Sequence, residues 1–486
     1  MARQRIKVPK GTVDVPDNCG RELFDPRSIV HSNEILKHMR DLELFHQSLT
    51  AADEMAWETD LSPNLDCNEQ LLDSKWAAFI AKESLKLSLY ALVFLDFHIF
   101  KVCNLRPMIS SIELGWELPH AATLWEASTS KAWLARLYQD GCGAVVSFDA
   151  TTTKYAFQGS ATKSLALATQ SLLSGSPCPH LAAALAASPF AALCVAATVD
   201  ALVQDFTRCY YQLPPSLSDP SLFHILTQAQ NKNVAAALRA IADARTTALR
   251  GAAADADGRG SSAAGLWGAV HLVVASVKAS LCVPDDLLIG GIVDNGVAAG
   301  LATHAHLTLG SYFASRRSAM QQQQQQQQHP SGGSPSELDA AGSLGLLGEL
   351  MPALGHVVEQ SSAETVCDEG PWVAVVTIRL LITIWKTLRL VVEYVRRNMD
   401  SAGESSFDPA GVTLRAVTRT VEGYIRRLTP DHALDMGSTV ESQERDLGYH
   451  ERCLLLLAGE LCKRRPVWPV GPALATVFDE IMAAIV

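Results

Sequence analysis

Apolar residues recur at helical spacing along most of the chain. In the clearest case, after Asp66, one helical face would carry the apolar residues Trp76, Phe79, Ile80, Leu87, Tyr90 and Phe94. A period of about 3.6 residues is typical of an α-helix with one buried face. No run alternates apolar and polar residues long enough to predict a sheet. The pattern therefore predicts an all-α, multi-helix fold.

Proline, glycine and polar clusters divide this pattern into segments. Further helices are predicted at 33–49, 164–187, 190–211, 220–250 and 267–281, and again after Pro371. Residues 1–65 are predicted to form a tail with one short helix, 66–250 the first part of a helical domain, and 370–486 its C-terminal part. Residues 251–369 are predicted to be a flexible, low-complexity insertion, because small residues dominate its start and a glutamine run occupies 321–328.

The apolar stretch at 372–395 has the length of a membrane span but not its composition. Arg379, Lys386 and Arg389 interrupt it, and each would cost about 2.5–3.5 kcal/mol at a bilayer centre. Helical spacing places Arg379 and Lys386 on one narrow face with Thr383, Glu393 and Arg397. We therefore expect a core helix with a solvated stripe, and no membrane partner.

Glu83 lies in the middle of the apolar face that begins at Trp76. A carboxylate at such a position is costly unless it is paired. Lys86 follows at i+3 and can reach it. We expect a buried ion pair that fixes the helix register; a catalytic acid is the alternative, although no second carboxylate occupies a comparable apolar position.

Three tryptophans, Trp116, Trp125 and Trp133, fall within eighteen residues. A helix opening at Pro119 would place Trp125 and Trp133 on one broad face, which we expect to dock on the Trp76 helix. On this interpretation Trp125→Ala would destabilise the fold by about 3–5 kcal/mol.

Charge and cysteine usage narrow the function classes. The net charge of the 486 residues is −11, which argues against a surface dominated by phosphate contacts. The eleven cysteines are all isolated, as expected for free thiols and not for a disulfide framework or a zinc module. No phosphate-binding or dinucleotide-binding glycine motif is present. We expect no cofactor, no metal and no enzymatic activity in this chain.

The segment from 71 to 138 resembles the fungal-specific transcription factor regulatory domain, the middle homology region of fungal zinc-cluster and some zinc-finger regulators. The residues that carry the resemblance are Trp76, Phe79, Glu83, Lys86, Asp96, Pro107, Leu118, Pro119, Leu124, Trp125, Ala127, Trp133 and, more diffusely, Trp372. Lys86 stands where family members usually have arginine, which weakens the expected pairing with Glu83 because lysine cannot form the planar bidentate contact.

The resemblance implies an all-α regulatory domain in the nucleus. Its implied partners are transcription machinery or coregulators, with homo- or heterodimers possible, and DNA is reached only through a separate zinc-bearing module. Only Cys19 and Cys67 precede residue 103, so this chain is expected to lack that module. Either the sequence is a truncated gene model, or the protein is a regulatory relative that has lost its DNA-binding module.

Two alternatives remain open. One is a helical enzyme that uses Glu83 or the Asp285–Asp286 region. The other is a stand-alone interaction protein without DNA binding. The surroundings of Glu83 distinguish the enzyme from the regulatory interpretation. A catalytic Glu83 would face a solvent-accessible pocket, whereas a structural Glu83 would contact Lys86 or another cation.

Overall fold

A computed structural model of the chain describes most of its predicted helical segments. The described residues are 26–45, 69–102, 107–139, 146–149, 154–157, 164–175, 177–211, 228–254, 261–282, 335–362, 371–401, 409–429, 447–465, 475–476, 478–479 and 482. Within these ranges the fold is all-α, apart from one antiparallel hairpin of two four-residue strands, β1 (Val146–Asp149) and β2 (Lys154–Phe157).

Seven helices form the N-terminal half of the described fold. They are α1 (Pro26–Asp41), α2 (Glu69–Val102), α3 (Ala122–Trp125), α4 (Ser130–Gln139), α5 (Leu165–Leu173), α6 (Pro179–Ala187) and α7 (Pro189–Tyr211). Local chemistry sets several of their ends. The Ser164 side chain caps α5 by accepting a hydrogen bond from the Leu167 amide, and Pro179 occupies the first turn of α6.

Six helices follow in the second half. They are α8 (Gln228–Ala254), α9 (Ser261–Cys282), α10 (Pro335–Ser362), α11 (Pro371–Ser401), α12 (Pro409–Leu428) and α13 (Leu447–Lys463). The strongest packing joins α7 to α9 and α10 to α11.

The buried apolar residues form two large cores that share helices. The N-terminal core draws on α2, α5, α6, α7, α8 and one side of α9. The C-terminal core is built from α10, α11, α12 and α13 together with Leu272, Ala275 and Ala279 of α9. Since α9 belongs to both cores and Trp372 of α11 contacts both, these two helices link them. A small third core, of Leu72, Phe79, Leu124, Ala127, Trp133 and Leu134, joins α2 to α3 and α4.

The prediction of a flexible insertion at 251–369 is wrong over two long stretches, although the helix predicted within it at 267–281 is present. Helices α9 and α10 lie inside that range, and Val273, Val277 and Leu354 on them are fully buried. The small residues of α10 hid an apolar face that packs against neighbouring helices, whereas apolar spacing had already predicted most of α9. The glutamine run at 321–328 lies outside the described residues.

The predicted solvated stripe on α11 is also wrong where the structure describes it. Arg379 and Thr383 are 2% and 1% exposed, because α9 packs against this helix and Asp200 of α7 lies near Arg379. The Arg379 guanidinium donates a hydrogen bond to Ser276 Oγ at 2.8 Å and lies 3.9 Å from Asp200 Oδ1. No single helix in the described ranges has the length and apolarity of a membrane span; one bent pair, Pro179–Ala187 with Pro189–Val203, reaches those limits together.

The N-terminal tail begins its helix earlier than predicted. Helix α1 covers Pro26–Asp41 where the pattern placed residues 33–49, and Leu36 and Phe45 are buried in the N-terminal core. Part of the range assigned to a tail therefore belongs to the domain. Four described cysteines, Cys178, Cys194, Cys453 and Cys462, are free thiols, as predicted, and the last three are buried.

Candidate functional site

The centre of the family-like motif is a charge cluster between α2 and the irregular segment 107–121. Hydrogen bonds fix this segment against α2: the Ile109 amide donates to Asp96 Oδ2 at 2.8 Å, and Tyr90 donates to the Trp116 carbonyl at 3.0 Å. Burial raises the pKa of Asp96 to about 6, although the Ile109 amide opposes this shift. The two contacts hold Glu117 and His120 over the middle of α2.

Glu83 and Lys86 form the ion pair that their spacing predicts. Lys86 Nζ lies 2.7 Å from Glu83 Oε2, and the two side chains are 0% and 1% exposed. Both groups therefore have lost their water almost completely. Such burial requires further polar partners, because one Coulombic contact does not offset the desolvation of two ions.

Those partners come from the irregular segment. The His120 amide donates to Glu83 Oε1 and His120 Nδ1 lies next to Glu83 Oε2, each at 2.8 Å. Lys86 Nζ also donates to Glu117 Oε1 at 3.2 Å, and Lys82 Nζ lies 3.6 Å from the same oxygen. The charge cluster consists of Lys82, Glu83, Lys86, Glu117 and His120.

The electrostatics keep both carboxylates ionised. Burial alone would raise the pKa of Glu83, but the adjacent His120 and Lys86 outweigh it and hold that pKa well below its usual range. At Glu117 burial acts in the same upward direction, while Lys86, His120 and Lys82 lower the pKa to about 2. Neither group can supply a proton at neutral pH.

The contacts of Glu83 are those expected of a structural carboxylate. Its two oxygens contact the His120 amide, the His120 ring and the Lys86 ammonium, and its side chain is buried. A general acid or base must exchange a proton with a reacting group within hydrogen-bond reach. The occupied coordination of Glu83 supports an architectural role in which it ties α2 to the segment ahead of α3.

Most motif residues come together around this cluster. Phe79 packs on Trp133, with ring centroids 5.4 Å apart, and on the His120 ring at 5.5 Å. Leu124 and Ala127 complete the third core, with Trp76 packed against its edge. Leu118 and Pro119 are buried, and Pro107 is half-buried at the start of the irregular segment.

Trp125 does not occupy the position predicted for it. It is 42% exposed, and its indole nitrogen donates to Ser84 Oγ at 3.3 Å. The predicted continuous helix from Pro119 is instead two helices, since α3 ends at Trp125 and α4 begins at Ser130. The break turns Trp125 away from the face that Trp133 buries.

Trp372 lies apart from the charge cluster, at the C-terminal end of α2. Its ring is 5.7 Å from Phe94 and 5.2 Å from His98 between centroids. It joins α11 to α2 without contacting the Glu83 network.

Sequence reasoning missed Glu117 and His120. Glu117 lies ahead of the helix predicted from Pro119 and His120 lies in its first turn, and spacing within one segment does not show which side chains of another helix they contact. The available signal was the buried Glu83–Lys86 pair itself, whose unsatisfied hydrogen-bonding capacity requires polar groups from elsewhere in the chain.

Among the described residues, no group of three or more His, Cys, Asp or Glu side chains is placed to hold a metal ion. Asp285 and Asp286, the other acidic candidates, lie outside the described ranges. Comparison of the chain with protein-family models, curated proteins and solved structures finds no match. The family resemblance therefore depends on the motif residues alone.

Proposed function

We propose that the chain is the helical regulatory domain of a fungal-type transcription regulator and acts in the nucleus through contacts with other proteins. DNA would be reached through a separate module. One observation carries the proposal: the residues that resemble the family motif, from Phe79 to Trp133, meet in one folded unit around Glu83 and Lys86. These residues are far apart in the sequence but lie together in the fold, which explains why the motif has its particular spacing.

The ionised state of Glu83 supports this proposal over the helical-enzyme alternative. A carboxylate held by the Lys86 ammonium, the His120 ring and a backbone amide stabilises a fold and is a poor proton carrier. The proposal therefore assigns the cluster a positioning role and places function on surfaces of the domain.

A reporter assay tests the proposal with the full chain. The 486 residues are fused to a heterologous DNA-binding module in yeast, and reporter output is compared with that of the module alone. We expect a change in output that Trp133→Ala abolishes by unfolding the third core, while Glu126→Gln, at an exposed site in the turn after α3, retains it. Unchanged output from a folded fusion would contradict a regulatory role.

Direct DNA binding provides the second arm. We expect the unfused chain to show no sequence-specific retardation of duplex DNA. Specific, salt-sensitive binding would overturn the assignment of DNA recognition to a separate module.

A further inference from the structure

Helix α12 carries a basic face beside the apolar face that it buries. Its twenty residues include four arginines, Arg415, Arg419, Arg426 and Arg427, and a single acidic residue, Glu422. The chain as a whole has a net charge of −11, so this concentration of positive charge runs against the overall balance. The opposite side of α12 is apolar and buried, with Leu414, Val421 and Ile425 at most 3% exposed.

Three of the arginines are aligned. At 100° per residue, Arg415, Arg419 and Arg426 lie within about 40° of one another around the helix axis and span roughly 16 Å along it. We call these three residues the arginine face. Arg419 and Arg426 are exposed, Arg415 is half-buried, and the Arg426 side chain is 74% accessible.

Helix α13 borders the arginine face. Tyr449 of α13 donates a hydrogen bond to Glu422 Oε1 at 2.7 Å, and Arg452 follows one helical turn later. Glu422 lies 3.9 Å from Arg426, at the outer limit of an ion pair, and its side chain is 20% exposed. Contacts of this length between accessible groups contribute little and yield to a better-placed carboxylate.

We propose that the arginine face binds an acidic segment of a partner protein. Charge complementarity identifies the partner: guanidinium groups pair with carboxylates through two parallel hydrogen bonds. Val412, which is 43% exposed, and Ala416 flank the arginines and offer apolar contact. A segment that mixes acidic and apolar side chains matches both features, whereas a phosphate backbone matches only the charge of the arginine face. The inference rests on the proposed function and names the surface through which it operates.

A binding experiment on the full chain tests the inference. The probe is a fluorescent peptide of repeated Glu-Glu-Leu, with its Lys-Lys-Leu counterpart and a short DNA duplex for comparison, measured by anisotropy at low and at physiological salt. We expect salt-sensitive binding of the acidic peptide, weakened about tenfold or more by the combined substitutions Arg415→Glu, Arg419→Glu and Arg426→Glu. Circular dichroism verifies that the variant is folded, as expected for surface positions.

A matched variant controls for net charge. Lys232→Glu, Arg239→Glu and Arg250→Glu together reverse three exposed cations on α8, and we expect peptide affinity to stay within about twofold of wild type. Equal weakening by both variants, or no binding by the wild-type chain, would overturn the inference. Tighter binding of the duplex at the arginine face would assign the surface to nucleic acid instead.

The reporter fusion separates this inference from the proposed function. If the fusion changes reporter output but the peptide does not bind, the regulatory role stands and the arginine face is the wrong surface. If the peptide binds but the fusion is inert, the surface stands and the regulatory role fails.

Discussion

Lys86 is completely buried, and this is tolerated because its ammonium contacts two carboxylates and the Leu118 carbonyl. Glu83 is equally well supplied with donors. At such sites the desolvation cost is offset only by the complete set of contacts, so removal of one charge leaves the others uncompensated. The energetic unit is therefore the charge cluster and not the Glu83–Lys86 pair.

Glu83→Gln tests this directly. The substitution keeps the side-chain size but leaves the Lys86 ammonium with one carboxylate fewer in a buried setting, so we expect a loss of about 3–5 kcal/mol in the free energy of unfolding. Urea denaturation measures it, with the exposed substitution Glu126→Gln as control. A loss no larger than that of the control would show that the network is not a major contributor.

The depressed pKa of Glu117 predicts a defined pH dependence. Its folded pKa of about 2 lies below the ordinary 4.5, so the stabilisation is complete above pH 4.5 and is lost as the pH falls towards 2. The free energy of unfolding falls by at most about 3 kcal/mol as Glu117 becomes protonated. Asp96 acts in the opposite sense, because its raised pKa makes stability fall as the pH rises from 3.8 to about 6.

Comparison with Glu117→Gln isolates the Glu117 contribution from that of Asp96. We expect the difference in unfolding free energy between wild type and this variant to shrink as the pH falls from 4.5 to 2. Urea midpoints across that range measure the difference, and a constant difference would refute the assignment.

Trp133 and Trp125 differ in how far their side chains are buried. Trp133 is 1% exposed within the third core, so Trp133→Ala should cost about 3–5 kcal/mol through lost contacts and a cavity. Trp125 is 42% exposed, and Trp125→Ala should stay within about 1 kcal/mol of wild type. Equal losses in chemical denaturation would restore the sequence-based expectation that both are buried.

At the scale of elements, local pattern predicts what lies within one helix and fails where two segments meet. The Glu83–Lys86 pair was predictable because i and i+3 are neighbours on any helix. His120 was not, because its position depends on the path of a non-helical segment. Arg379 was misassigned to solvent for the same reason: helical spacing gives the face on which a residue lies but not whether another helix covers that face.

Three consecutive basic residues, Lys463, Arg464 and Arg465, stand at the C-terminal end of α13. Arg464 donates hydrogen bonds to the Ser361 carbonyl at 3.3 Å and to the Leu428 carbonyl, at the C-terminal ends of α10 and α12. Arg465 is 2% exposed and donates to the Leu461 carbonyl at 2.9 Å. Cations are favourable at helix C-termini, so these two arginines join helices and are not displayed as a basic signal.

Arg464→Ala removes the connection between α10, α12 and α13. We expect a loss of about 1.5–3 kcal/mol, the usual range for hydrogen bonds that involve a charged group. Lys463→Ala is the matched control, because the Lys463 side chain is 48% exposed and contacts only surface carboxylates in the described structure. Thermal denaturation compares the unfolding midpoints of the two variants, and similar midpoints would contradict the role of Arg464 in joining these helices.

At the scale of the whole molecule, α9 links the two large cores from inside the range predicted to be a flexible insertion. Its spacing predicted a helix at 267–281 but not the burial of that helix on two sides. Helix α9 combines Ala- and Gly-rich stretches with a continuous apolar run, and its two sides enter different cores. Small residues permit close helix contacts, as at Gly268, where an added Cβ would lie 2.1 Å from His356 Nε2. The small residues of α9 therefore accompany tight packing, while the glutamine run at 321–328 lies outside the described part of the chain.

Arg379 lies where α7, α9 and α11 meet, so it tests whether the two large cores unfold together. In Arg379→Met the buried Asp200 loses its nearby cation, and we expect a loss of about 3–5 kcal/mol. Adding Asp200→Leu should recover much of it, because apolar replacement of both members of a buried pair is often neutral. Hydrogen exchange should rise in peptides from α6 and from α13 alike in the single variant, since α9 and α11 connect the two cores. Faster exchange confined to one core would show two independently stable units in place of one interrupted domain.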